Sequence, residues 1–434
     1  MACRSLAELL GATCNILSSN GGLGLNPNTL IRALSIVLVL SSAVALGADK
    51  GAHGPIDIQN DSDFASCNCV LGGDGSESHP FVIGPWDINK VNGVAVSIDG
   101  TNLTKSFVIW NLTVGGNGTN SSIGVQLKNL NRGTNRLFAA VEGVQTTIQA
   151  VGVGILVDGS NDVTLDGGGA NPNAAGIVAS GAGTINHNLI GAIDVENSSH
   201  IHVKGWQMSA NGQDGQPDWI GFDPSLAIWG VGGVRFFGVN NSSIDHNASN
   251  NCTSISYSLF NSSYNTVSYN TADYPFTMNF LVTDGSTYNV LSNNVAGTGD
   301  FIGYLVADPL PGTPTLANYG PTHDNTLNGN SSHADGPTGA EIKAGVAPAF
   351  VGGFVVLNGT FNNVITNNQD SPGVGFVWAQ AVEIVSSPIG VVSYPPLLHC
   401  IVTASEGEGG VANRNGNIWA GNQFKMIDAC LPAQ

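Results

Sequence analysis

Between Gly205 and Gly230 the sequence gathers Trp206, Trp219, Phe222 and Trp229 with the carboxylates Asp214, Asp218 and Asp223. Flat rings cover the apolar faces of pyranose sugars, and carboxylates hydrogen-bond sugar hydroxyls or act as acid and base. The cations closest in sequence are Lys204 and Arg235. The set predicts a sugar site in which Trp206, Asp214, Trp219 and Trp229 bind. Proton abstraction beside a sugar carboxylate would then use Asp218 or Asp223 as carboxylate and Arg235 or Lys204 as cation. The same residues also read as a loop folded over its own tryptophans, with aspartates capping its turns.

Two further groups could hold a metal. His200 and His202 stand two apart, so on a strand both point to one face. Aligning Ile201 with Ile244 sets His202 beside Asp245 of the next repeat, which gives two imidazoles and a carboxylate. Cys67 and Cys69 are the second group. The other cysteines are Cys3, Cys14, Cys252, Cys400 and Cys430. In an oxidising compartment a Cys400–Cys430 disulfide would pin the tail.

The elements that position these residues follow from a repeat. Ser243-Ile244-Asp245-His246-Asn247 returns as Thr266-Val267-Ser268-Tyr269-Asn270 and as Val290-Leu291-Ser292-Asn293-Asn294. Looser copies end at Asn330 and Asn368. Each copy has too few apolar residues to close a core, so neighbouring copies must stack to bury a shared one. The apolar runs are short, β-branched and aromatic, and are cut by Gly, Asn, Ser and Asp before a helical period can build. Stacked parallel strands place like residues about 4.8 Å apart, so asparagines at one position can bond amide to amide. The fold predicted is all-β, a right-handed single-stranded parallel β-helix. Further rungs are expected at Ser106–Leu112, Asn161–Gly169, Ser199–Val203 and Asn417–Asn422.

The chain of 434 residues carries 13 Lys+Arg against 31 Asp+Glu, a net charge of −18. That balance excludes nucleic acid and an anionic membrane as partners of the mature form. It also counts against gripping a polyanionic sugar by cationic side chains alone, a gap that bound calcium could bridge. Arg32, the apolar run Ala33–Val44 and the small residues Ala43-Val44-Ala45 resemble a cleaved export signal, with an uncleaved anchor as the alternative. The predicted organisation is a leader at residues 1–48, a cap segment at 49–71, the β-helix at 72–424 and a tail at 425–434.

Asp74-Gly75-Ser76, His79-Pro80, Phe81-Val82-Ile83 and Trp86-Asp87-Ile88 resemble the opening of NosD-type right-handed β-helix repeat proteins, within the pectate-lyase-like superfamily. Together with the aliphatic-x-x-Asn phrases this resemblance covers most of residues 72–424. It implies the fold; its association with copper-enzyme maturation implies a copper-accessory role as one alternative. Gly221-Phe222-Asp223-Pro224 is similar to part of the catalytic stretch of mannuronan epimerases. That family has tyrosine before the glycine and histidine after the proline, where this chain has Ile220 and Ser225, so only Asp223 carries over, as a charge-neutralising carboxylate. Ser243-Ile244-Asp245-His246 is similar to the Ile-Asp-His of pectate-lyase-like chains, although alignment with Tyr269 and Asn293 makes His246 an ordinary rung position. The functional expectation is an exported protein of the cell surface or exterior that binds or modifies polysaccharide. A non-catalytic structural or adhesive solenoid is the alternative beside the copper role.

Overall fold

The computed structural model describes residues 50–119, 121–130, 139–142, 146–168, 184–186, 188, 190–211, 232–252, 255–273, 275, 278–297, 302–307, 320–333, 352–356, 360–370, 379–383, 411–412 and 416–423. One lap of the chain shows the construction. Thr266–Ser268 forms a strand, Tyr269 and Asn270 turn the corner, and Thr271–Asp273 runs along a second wall. Met278–Thr283 forms the third wall, and Val290–Ser292 then lies on Thr266–Ser268 in register. The molecule is a right-handed parallel β-helix. Among the described residues its walls are sheet A of 11 strands, sheet B of 11 and sheet C of 13. Thr271–Asp273 lies in sheet A, Met278–Thr283 in B and Thr266–Ser268 in C.

Alternation along each strand decides what enters the core. In sheet C, Val203, Ile244, Val267, Leu291, Leu327 and Ile365 pair in one continuous register and point inward, each 2% exposed or less. Trp419 takes the next place, on the last rung that the sequence predicts. Inside sheet B, Tyr257, Phe280, Tyr304 and Phe354 stack with ring centroids 5.0, 4.7 and 4.6 Å apart. Their burial needs partners for the hydroxyls, which donate to the carbonyls of Thr271 and Asn294.

The corners are held by side-chain amides. Asn247, Asn270, Asn294, Asn330, Asn368 and Asn422 form a column between sheets C and A, each donating its amide to the next. A second column of Asn265, Asn289, Asn325, Asn363 and Asn417 stands at the corner between sheets B and C. From His202–Lys204 through Val364–Thr366, each strand of sheet C is followed after two residues by its sheet A partner. The first of those two residues has a left-handed backbone: His246 at φ 54°, Tyr269 at 55°, Asn293 at 55° and Asn367 at 55°, with Gly329 and Gly421 in the same place. Over these rungs the long connections fall instead at the other two corners, as in residues 210–233 and 333–351 before sheet B strands and 307–325 after one, whereas nearer the N-terminus residues 167–183 lengthen the corner between sheets C and A.

The residues preceding the first full lap already join the walls. Gly51–Ala52 pairs with Trp86–Asp87 in sheet A, and Ile56–Asn60 pairs with Val94–Asn102 in sheet B. A one-turn helix, Asp63–Ser66, lays Phe64 on Phe81 at 4.7 Å and thereby covers the core at this end. Cys67 and Cys69 are joined to each other as a disulfide, so they offer no thiolate pair to a metal. Cys252 is a buried free thiol beside the Asn211 amide. Cys3, Cys14, Cys400 and Cys430 lie outside the described residues, as do the leader and the tail.

Candidate site on the outer face of sheet B

In Gly191–Glu196 the residues Ile193 and Val195 point into the core, so Asp194 and Glu196 point out. On the next rung Val234 and Phe236 point in, which turns Arg235 and Phe237 out. The register sets Arg235 beside Asp194 and Phe237 beside Glu196. Arg235 donates from Nε and Nη2 to the two Asp194 carboxylate oxygens, both at 2.8 Å. Its Nη2 also reaches Glu196 Oε1, and its guanidinium lies 5.5 Å from the Phe237 ring centroid. The fork of donors matches the carboxylate in a way that a lysine could not.

Arg235 and Asp194 are buried, with side chains 1% and 3% exposed, whereas Glu196 keeps 31%. The same step runs along the outer face as a whole. Ser97, Gln126 and Leu156 are half-buried, and beyond Arg235 the residues Ser258, Leu281 and Leu305 are buried although they point away from the core. Glu196 therefore stands where an open face becomes a covered one. Burial raises its pKa above the ordinary carboxylate range; neighbouring Asp194 and Asp158 add to this, and Arg235 opposes it. Asp158 lies beside Glu196 on the preceding rung, with Lys128 and Asp99 continuing the row. Asp99 is shifted the opposite way, chiefly by hydrogen bonds from Thr101. A half-exposed carboxyl whose pKa is raised by burial, beside a second carboxyl group, is a pair of the kind that acid–base chemistry uses.

The residues singled out by sequence do not assemble as one group. Lys204 stands on the outer face of sheet C, 2.8 Å from Asp166, while Arg235 stands on sheet B. Trp206 is fully buried; its indole N–H donates to the Leu165 carbonyl, so the ring has no face to offer a sugar. Its backbone N–H donates to Asn247, which places it at the head of the asparagine column. Asp214, Asp218, Trp219, Asp223 and Trp229 lie outside the described residues.

The histidine alignment shifts by two. Val203, not Ile201, pairs with Ile244, so His202 neighbours Ser243 and Lys204 neighbours Asp245. His200 sits in a turn at φ 55° rather than on the strand. These placements separate the proposed His200–His202–Asp245 set. Burial, with His200 and Lys204 nearby, lowers the His202 pKa. Among the described residues no cluster of three or more His, Cys, Asp or Glu could hold a metal. His246 stacks on Tyr269 at 4.9 Å as an ordinary corner residue. Asp158, Asp194 and Glu196 were missed by sequence reasoning, although Gly191-Ala-Ile-Asp-Val-Glu196 shows the apolar–acidic alternation that turns its carboxylates outward.

No protein-family profile and no curated protein matches the chain. Among solved structures it is similar to a periplasmic alginate epimerase, AlgG, at 12% identity and a TM-score of 0.36, over 77% of this chain and 85% of that one. It is also similar to tailspike protein 3 of bacteriophage CBA120, at 10% identity and a TM-score of 0.34, over 96% of this chain and 62% of that one. Among the described residues no helix is long and apolar enough to cross a membrane. The fold conclusion rests on the register of the strands themselves: this chain is a parallel β-helix.

Proposed function

We propose that the protein is an exported β-helix that binds extracellular polysaccharide and modifies it on the outer face of sheet B. The observation that carries this reading is the half-exposed Glu196 carboxyl. It is held towards its protonated form at the edge of the open face, against the Arg235–Asp194 pair and beside Asp158. In this reading Glu196 gives its proton to the glycosidic oxygen as the bond from that oxygen to the anomeric carbon breaks, and Asp158 takes a proton from the water that bonds to that carbon. Arg235 is enclosed by two carboxylates and acts by positioning Glu196, not by neutralising a substrate charge. Export follows from the predicted leader.

The test is a panel of purified neutral and uronic polysaccharides, with and without calcium, assayed for new reducing ends and for unsaturated sugar products. Reducing ends without unsaturated product, lost in Glu196→Gln and in Asp158→Asn, support the assignment. Unsaturated product that survives both substitutions would return the chemistry to proton abstraction by other residues. No activity across the panel removes the enzymatic reading. A non-catalytic adhesive solenoid is the second reading, and the buried neutralisation of Arg235 by Asp194 favours it, since such a pair also serves a purely structural end.

A further inference from the structure

Six large hydrophobic side chains stand most exposed among the described residues, and five of them surround one wall. Val290 and Ile418 point out from sheet C, and Tyr264, Tyr288 and Tyr269 occupy the turns on its two sides. The first outward column of this wall reads Thr266, Val290, Thr326, Val364 and Ile418 in continuous register. Two residues further on, a second column reads Ser268, Ser292, Asn328 and Thr366. In a chain of net charge −18 these positions carry no charge at all. The charged neighbours Lys204 and Asp245 belong to earlier rungs, and Asp324, hydrogen-bonded to Tyr288, stands in the turn at the edge of the strip.

The tyrosines are placed against their own backbone preference. Tyr264 and Tyr288 adopt φ of 59° and 56° in a turn position that other rungs give to Asn241, Asp324 and Asn362. Tyr269 does the same at the opposite corner, in a place shared with Asn293 and Gly421. Asparagine and glycine suit the left-handed region and a bulky side chain does not. Tyr264 stacks on Tyr288 at 5.0 Å and Tyr269 on His246, but burial adds little to these contacts, because the three residues remain 58%, 46% and 41% exposed. Strain kept at an exposed aromatic points to use by a ligand.

We infer that the outer face of sheet C binds an uncharged polysaccharide chain laid along the helix axis. Successive rungs advance by about 4.8 Å, close to the advance of one unit in an extended 1,4-linked pyranose chain, so each sugar meets an equivalent pair of positions. Val290, Val364 and Ile418 supply methyl surface to the C–H faces of the sugars, and the hydroxyl and amide column meets their edges. The uncharged columns, bordered by the Asp324 carboxyl group, select a neutral polymer over a uronate. A second copy of this chain is the competing occupant, and the area disfavours it. The strip is about 16 Å wide and about 24 Å long from strand geometry, roughly 400 Å², half of the roughly 800 Å² per partner of a standard stable interface. This surface is separate from the Glu196 site and stands whether or not that site is catalytic.

The experiment is retention of the full chain on microcrystalline cellulose and on chitin, with granular starch and a polygalacturonate gel as contrasts. Retention is expected on cellulose or chitin and not on polygalacturonate. The double variant Val290→Lys/Thr326→Lys should weaken it at least tenfold, and Tyr264→Asn severalfold. Gln207→Lys on sheet A should leave it unchanged. An unaltered thermal melt establishes that each variant is folded. The inference is overturned if neither polymer retains the protein or if the lysine pair leaves retention intact. It is equally overturned if sedimentation shows a dimer that the lysine pair dissociates.

Discussion

The side-chain carbonyl of Asn294 accepts two hydrogen bonds from Asn270, one from its backbone N–H at 3.0 Å and one from its side-chain amide at 3.1 Å. Asn294 then makes the same pair of bonds to Asn330 and donates a further one to the carbonyl of Val267. One buried side chain thus completes the hydrogen bonding of three successive rungs.

Asn294→Ala should therefore cost about 3–5 kcal/mol, since it leaves several buried donors and acceptors without partners at about 1–3 kcal/mol each, not additively. Asn422→Ala, at the partly exposed end of the same column, should cost about 1 kcal/mol because water can take the vacated place. Urea unfolding of the two variants checks this. Equal losses would mean that the column does not act through burial.

Removal of one partner from the Arg235–Asp194 pair should be worse than removal of both. Arg235→Ala strands a buried carboxylate and is expected to cost about 3–5 kcal/mol, whereas Arg235→Met combined with Asp194→Leu should come within about 1 kcal/mol of the parent. Arg235→Lys should fall between them, because an ammonium cannot make the two parallel bonds to Asp194. A double-mutant cycle by chemical denaturation separates the pair from its parts.

Glu196 sets a pH dependence whose sign follows from its raised pKa. The native state favours the protonated carboxyl, so the stability linked to this group is complete below the unfolded value of about 4.3 and is lost as pH rises through the folded one. Glu196→Gln should abolish that loss. Its melting temperature should equal or exceed the parent's at neutral pH, with the advantage gone below about pH 4. Thermal melts across this range decide it, and a variant advantage that grew on acidification would contradict the assignment.

The repeat was legible because Ile244, Val267 and Leu291 are spaced evenly and each is followed three residues later by an asparagine; both facts concern neighbours in sequence. Ser-Tyr264-Asn265-Thr-Val-Ser-Tyr269-Asn270 even carries one residue of each column. The site was not legible, because Asp194 precedes Arg235 by 41 residues and only the register of two laps joins them. Burial was equally hidden. Trp206 resembles a surface ring by its company in sequence, yet it sits at the head of the asparagine column and packs inward. His200-Ile201-His202-Val203 offers two aliphatic residues for one inward place; Ile201 belongs to the turn, where its N–H meets Ser242, and Val203 to the strand.

From His202–Lys204 to Val364–Thr366 the corner between sheets C and A keeps two residues in every lap, while both corners bordering sheet B take connections of many sizes. Lengthening such a connection costs little, since closure entropy grows only with the logarithm of its length. Along those rungs evolution, or an engineer, can therefore trade segments beside sheet B for new chemistry while the opposite edge keeps successive laps in step. In that stretch novelty is confined to one flank and inheritance to the other.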